Sequence, residues 1–250
     1  MNHENKPLPV VTTDDIKDLV AKYKKDRSPI HRYASFDYCF NYFRNFKEEG
    51  RLSELKNNDN LEMSCLQIGF FLASWGMFRG KSQLGQKASV KYFAELVEEI
   101  SSWHGDHKLA GIWDIDANDY EREGVWDCLE QCYEEVKSKV TRGSSQAHRT
   151  LVTKVMLGVF GCVPAFDDLF TSTFRNLYRE DGCAFRSFNQ AALSKLADFY
   201  KNHSDTIAEL AKETKTLDFE TGKSTSRNYK LAKIIDMIGF QEGKNKGRSE

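Results

Sequence analysis

The chain predicts an all-α fold, a compact multi-helix globular domain, and three observations carry that prediction. Apolar residues recur at three- and four-residue spacing through most segments, as on helices with one buried face. Alternation of β-branched residues is nearly absent, and Pro164 is the sole proline after residue 29. Apolar residues make up 40% and charged residues 29% of the 250, enough to bury a core without a metal or disulfide. The expected organisation is a tail and first helix over 1–28, a single helical domain over 29–240, and a disordered tail over 241–250. Within the domain, lobes over 29–140 and 141–240 with a cleft between them are an alternative arrangement.

About nine or ten helices are expected. The first runs from a Thr13 cap to about Asp26, with Asp14 and Asp15 in its first turn, where acids favour the helix dipole. Ser28-Pro29 breaks it. IHRYASFDYCFNYFRNFKEEG then places Phe36, Cys39, Phe40 and Phe43 on one face, with Gly50 as a stop. Asp59 or Asn60 starts LEMSCLQIGFFLASWGMFR, apolar most of the way round and therefore expected to run through the centre of the molecule, with Gly69, Ala73 and Gly76 allowing close helix approach.

RGKSQLGQK reads as a polar elbow, KASVKYFAELVEEISSW as an amphipathic helix, and WHGDHKLAGIWDIDAND as a loop ended by an Asn118 cap. A helix from Asp119 to about Val140 follows. Later, Asn189 caps NQAALSKLADFYKNH, Ser204 caps SDTIAELAKETK, and Asn228 is a candidate cap for YKLAKIIDMIGF, which Gly239 ends. TLDFETGKSTSRN is the best candidate for a hairpin or ordered loop.

The composition argues against several classes. MNHENKPLPVV has no signal-like apolar core, and no run reaches the roughly eighteen apolar residues of a membrane span, so a cytoplasmic location without membrane association is expected. Six scattered cysteines without a CxxC pair suggest reduced, buried thiols. The net charge of −1 exerts no global pull on nucleic acid, but the distribution is uneven. No Asp or Glu occurs from Val136 to Phe166, while Lys137, Lys139, Arg142, Arg149 and Lys154 fall in that window. Lys137, Lys139, Arg142 and Arg149 are therefore candidate phosphate contacts.

Gly80-Lys81-Ser82 has the end of a phosphate-loop motif without its first glycine or its preceding strand, so a solvated elbow explains it. His104, His107, Cys128 and Cys132 have permissive zinc spacing, but Cys128 and Cys132 share a stripe with Val125, Leu129 and Val136, and core packing accounts for them. No metal and no cofactor is called for. Arg142 and His148 match the arginine-to-histidine spacing of the HEPN ribonucleases, helical proteins they resemble in this pair alone. That resemblance implies acid–base and charge-stabilising roles on an RNA phosphodiester.

A longer likeness lies in Thr153-Lys154-Val155, an apolar helical run, and then Val163-Pro164-Ala165-Phe166-Asp167. It resembles the catalytic segment of the helix-hairpin-helix DNA glycosylases, notably those acting on 8-oxoguanine, over about 20 of the 250 residues. The resemblance implies Lys154 as the amine nucleophile at the anomeric carbon and Asp167 as the carboxylate assisting departure of the base. The residue types suit that chemistry: a lysine desolvated among Leu151, Val155 and Leu157 loses its proton more readily, and a carboxylate stabilises an oxocarbenium-like sugar. The plain alternative makes Lys154 a surface residue of an amphipathic helix and Pro164–Asp167 the opening of the next helix.

The expectation is thus a DNA-acting enzyme of the base-excision type, a hydrolase of DNA repair, binding DNA over RNA. A ribonuclease using Arg142 and His148 is the enzymatic alternative. A non-catalytic helical interaction protein is the alternative from another class, and prokaryotic antiviral defence attaches to all three by association only.

Overall fold

The computed structural model describes residues 11–80, 84–85, 88–143 and 148–246. Outside them lie the first ten residues, most of the expected elbow including Lys81 and Ser82, the Ser144-Ser145 pair, and the last four residues. The fold is predominantly all-α and compact, with ten α-helices and one small hairpin among the described residues. The helices are α1 (Thr13–Asp26), α2 (Ala34–Glu48), α3 (Asn58–Ser74), α4 (Ala94–Ile100), α5 (Val125–Thr141), α6 (Arg149–Phe160), α7 (Asp168–Leu177), α8 (Gln190–Asn202), α9 (Ser204–Glu213) and α10 (Leu231–Lys246). The antiparallel hairpin pairs β1 (Lys215–Leu217) with β2 (Ser224–Asn228), Leu217 opposite Ser224, within the segment expected to hold it.

Local sequence explains most of these elements. In α1, Ile16, Leu19, Val20 and Tyr23 form one buried face. Its cap is Thr12 rather than Thr13: the Thr12 hydroxyl accepts from Asp15 N–H at 3.2 Å and Asp15 returns a bond to Thr12 N–H at 2.9 Å. Asn189 caps α8 as expected, accepting from Ala192 N–H at 2.9 Å. For α9 the cap position is His203, one residue before Ser204. The segment after Ile115 forms a short 3-10 turn capped by Asp116, not Asn118, and α5 begins at Val125 behind Gly124 rather than at Asp119.

The centre is held by α6 and α10, not by α3. Val152 to Phe160 and Ala232 to Gln241 are buried without interruption. In contrast, α3 buries Cys65, Ile68, Phe71 and Leu72 on one side and turns Met63, Leu66 and Phe70 outward. Its periodicity was hidden because apolar side chains occupy both faces. Helix α6 packs on α2, α3 and α5, and α10 packs on α1, α7 and α9. The two halves of the chain therefore interleave, so neither α1 nor a 29–140 lobe stands apart.

Two long-range devices seat α10. Its opening amides, Leu231 and Ala232 N–H, donate to Asp116 at 2.9 and 2.8 Å, so a carboxylate 115 residues away in sequence does the work expected of Asn228. The helix also passes straight through Gly239, where a Cβ would stand 2.4 Å from Phe170 Cδ2. That glycine is an approach point for α7, not a stop. Residues 241–246 are helical, and Gln241 is buried, which corrects the expected disordered tail there.

Candidate functional site

Helix α6 ends at Gly161, in the left-handed region at φ 65°. The chain then crosses the core in an irregular stretch, Cys162 to Phe166, all of it buried. Buried backbone outside a helix must find partners, and here side chains supply them. Tyr120 Oη donates to Cys162 O at 2.9 Å, Ala165 N–H donates to Asp236 Oδ1 at 3.0 Å, and Phe166 N–H donates to Thr153 Oγ1 at 2.9 Å. Phe166 O accepts from Arg149 Nε and Thr150 Oγ1, each at 3.0 Å. Pro164 brings no N–H to satisfy.

This framework delivers Asp167 to the start of α7. Its Oδ1 accepts from Phe170 N–H at 3.0 Å, capping the helix, and its Oδ2 accepts from Lys154 Nζ at 3.0 Å. The Lys154 side chain is 4% exposed and that of Asp167 20%. Lys154 is therefore a buried member of an ion pair and not a surface residue of an amphipathic helix. Its ammonium also lies 5.1 Å from the centre of the Trp75 ring.

A second buried pair adjoins the same ring. Lys233 Nζ donates to Asp236 Oδ2 at 2.7 Å and stands 4.6, 5.0 and 5.7 Å from the rings of Phe36, Tyr23 and Trp75. Trp75 stacks on Tyr33, and Tyr33 on Tyr23. Beyond them, Asp37 accepts from Tyr229 Oη at 2.5 Å and from Arg27 Nη1 at 3.2 Å. Burial pushes Asp37 up to about 6, against the downward pull of Arg27 and Tyr229. Burial and the neighbouring Asp236 and Asp37 raise Tyr23 as well.

Buried ion pairs are a poor route to stability, because desolvation consumes most of their attraction and apolar residues of similar size do as well or better. Two lysines and an arginine with three aspartates, gathered around stacked aromatics, therefore mark this part of the core as a candidate site. Trp75 Nε1–H and the Tyr23 hydroxyl are buried there without a hydrogen-bond partner among the described residues. Sequence reasoning found Lys154 and Asp167 but missed Trp75, Asp37, Lys233 and Asp236. The available signal was a lysine and an aspartate three apart inside the otherwise apolar run LAKIIDMIGF.

The other candidates are placed differently. Lys137 pairs with Glu134 at 2.8 Å, Lys139 with Glu99 at 3.5 Å, and Arg142 with Glu95 at 3.3 Å. Arg142 also stacks on Tyr92 at 4.3 Å. Arg149 donates to Phe166, Phe185 and Arg186 carbonyls and lies 3.7 Å from Asp168. The acid-free window of the sequence thus meets acids that flank it, Glu134 and Asp168, and acids from a distant helix, Glu95 and Glu99. His148 immediately precedes α6, its proton affinity lowered by burial and by Lys137.

Cys132 is fully buried, and His107 Nδ1 accepts from Leu109 N–H at 3.1 Å. Among the described residues no group of three or more His, Cys, Asp or Glu side chains is placed to hold a metal ion, and no helix is long and apolar enough to cross a membrane. Comparison with protein-family models, curated proteins and solved structures finds no match to this chain.

Proposed function

We propose that this chain is a helical enzyme acting on DNA, which cuts a base from its sugar by N-glycosylase chemistry at Lys154 and Asp167. One observation carries the reading. Two residues 13 positions apart, assigned to a single reaction by resemblance, meet at 3.0 Å with the lysine buried against Trp75.

In the proposed step Asp167, the carboxylate in contact with the ammonium, accepts a proton from Lys154. The freed amine attacks C1′ of the sugar. As the Nζ–C1′ bond forms, the bond from C1′ to the base breaks, and the base leaves with the electron pair and takes the proton that Asp167 received. The new secondary ammonium then returns a proton to Asp167, its lone pair breaks the C1′–O4′ bond, and O4′ takes that proton, which leaves a protonated imine between Lys154 and C1′; water adds at C1′ and frees the lysine amine. The side on which Asp167 meets solvent is the approach for the extruded nucleotide.

Borohydride trapping tests this directly. Oligonucleotides bearing 8-oxoguanine, uracil, an abasic site or no modification are incubated with the chain, reduced and resolved under denaturing conditions. A covalent adduct lost in Lys154→Ala is expected, with DNA binding retained because the lysine acts in the reaction and not in docking. No adduct with any of these DNAs, or an adduct that persists in Lys154→Ala, overturns the reading. RNA in parallel addresses the ribonuclease alternative, which draws less support because Arg142 is engaged by Tyr92 and Glu95. The outward face of Met63, Leu66 and Phe70 favours the interaction-protein alternative, in which a partner covers it.

A further inference from the structure

The basic window from Val136 to Phe166 is paired with acids, but a second basic surface has, among the described residues, two arginines that are not. An open groove runs beside α7, lined on one wall by Asp168, Thr171, Ser172, Arg175 and Asn176 and on the other by Phe185 and Arg186. Arg175 and Arg186 are exposed, and neither has an acidic partner among the described residues. Arg149 stands at the groove, holding the carbonyls of Phe185 and Arg186 at 2.9 Å and that of Phe166 at 3.0 Å. One guanidinium thereby ties the wall carrying Arg186 to the stretch that delivers Asp167. Phe185, buried at φ 48°, turns the chain so that Arg186 follows on the surface.

From this geometry we infer that the α7 groove is the docking surface for a nucleic-acid backbone, with Arg175 and Arg186 on its phosphates. Two guanidiniums without an acidic partner among the described residues, lining one groove with the Ser172 hydroxyl and the Asn176 amide, match the donors that grip phosphodiesters without reading sequence. The groove starts at the first turn of α7, directly after the Asp167 cap. The Asp168 carboxylate is fully exposed at the rim, 3.7 Å from Arg149, and opposes the anion. The inference rests on the nucleic-acid part of the proposed function and not on the chemistry at Lys154.

The test is fluorescence anisotropy with unmodified 20-nucleotide probes, duplex DNA, single-stranded DNA and single-stranded RNA, across a salt series. Arg175→Glu/Arg186→Glu should weaken binding roughly tenfold or more and reduce the salt slope by about 2. Lys56→Glu/Lys91→Glu, the same charge change at exposed positions on other elements, should leave both within about twofold. Asp168→Asn, which removes the rim carboxylate at similar size and with it the charge facing Arg149, should tighten binding a few-fold and does not depend on the reversal variant folding. Loss on DNA and RNA alike supports a groove for the shared phosphodiester, and loss on one alone names the source. No binding by the unaltered chain, equal weakening in the control, or an unmoved salt slope overturns the inference. Failed trapping with intact groove dependence removes the glycosylase reading alone.

Discussion

The Lys154–Asp167 pair should be energetically lopsided, and the structure says in which direction. Lys154 is almost wholly enclosed, with Asp167 as its partner at 3.0 Å and the Trp75 face as its other neighbour. Asp167 keeps partial contact with solvent and the Phe170 amide as a second partner. Asp167→Asn removes the charge that compensates a buried ammonium, a change that costs about 3–5 kcal/mol in comparable settings. Asp167→Ala adds the lost cap, about 1 kcal/mol more. Lys154→Met fills similar volume with apolar atoms and leaves a carboxylate that water and the cap still serve, so its cost is about 1 kcal/mol or less.

The double variant Lys154→Met/Asp167→Asn should then lie near Lys154→Met alone, a coupling of about 3–5 kcal/mol. Urea unfolding followed by helical circular dichroism and tryptophan fluorescence measures all four. Equal costs for Lys154→Met and Asp167→Asn would refute the reasoning, since the lysine would then have another partner. The same series identifies Lys154→Met as a folded variant in which loss of a trapped adduct cannot be attributed to unfolding.

Two further outcomes follow from the core. Asp37 holds its proton up to about 6 in the folded chain through burial, against an ordinary 3.8. The folded state binds that proton more tightly, so the contribution is largest at low pH and is lost as pH rises from about 4 to about 6, about 3 kcal/mol in all. The stability of the unaltered chain relative to Asp37→Asn should fall by about 2–3 kcal/mol over that range, and a flat or rising difference would mean that Arg27 outweighs burial. Gly239→Ala gains helix propensity of about 1 kcal/mol but drives a methyl into Phe170 and Phe174, at 2.4 and 2.9 Å. Overpacking costs about 1–3 kcal/mol, so thermal melting should show a net loss, and a raised melting temperature would show that the α7 and α10 aromatics can give way.

The sequence by itself determined the class of fold and most of the elements, because helix formation and capping are read from neighbours within one turn. The faces of α1 and α2, the Asn189 cap and the hairpin near TLDFETGKSTSRN were all legible on that scale. Even so, one apolar run could not reveal which helix lies inside: α3 is apolar on both sides yet exposes Phe70, while α6 and α10 are enclosed. Lys154 and Asp167 stood out through a resemblance, but whether the lysine was surface or core depended on where Trp75 arrived from α3. The pairing of Lys139 and Arg142 with Glu99 and Glu95, and of Asp116 with the amides of α10, joins residues tens of positions apart. Coulomb forces and hydrogen bonds act through space, so a run without acids along the chain is no guide to the charge around it. Only the folded chain decides which cations are neutralised and which, like Arg175 and Arg186, are left facing a groove.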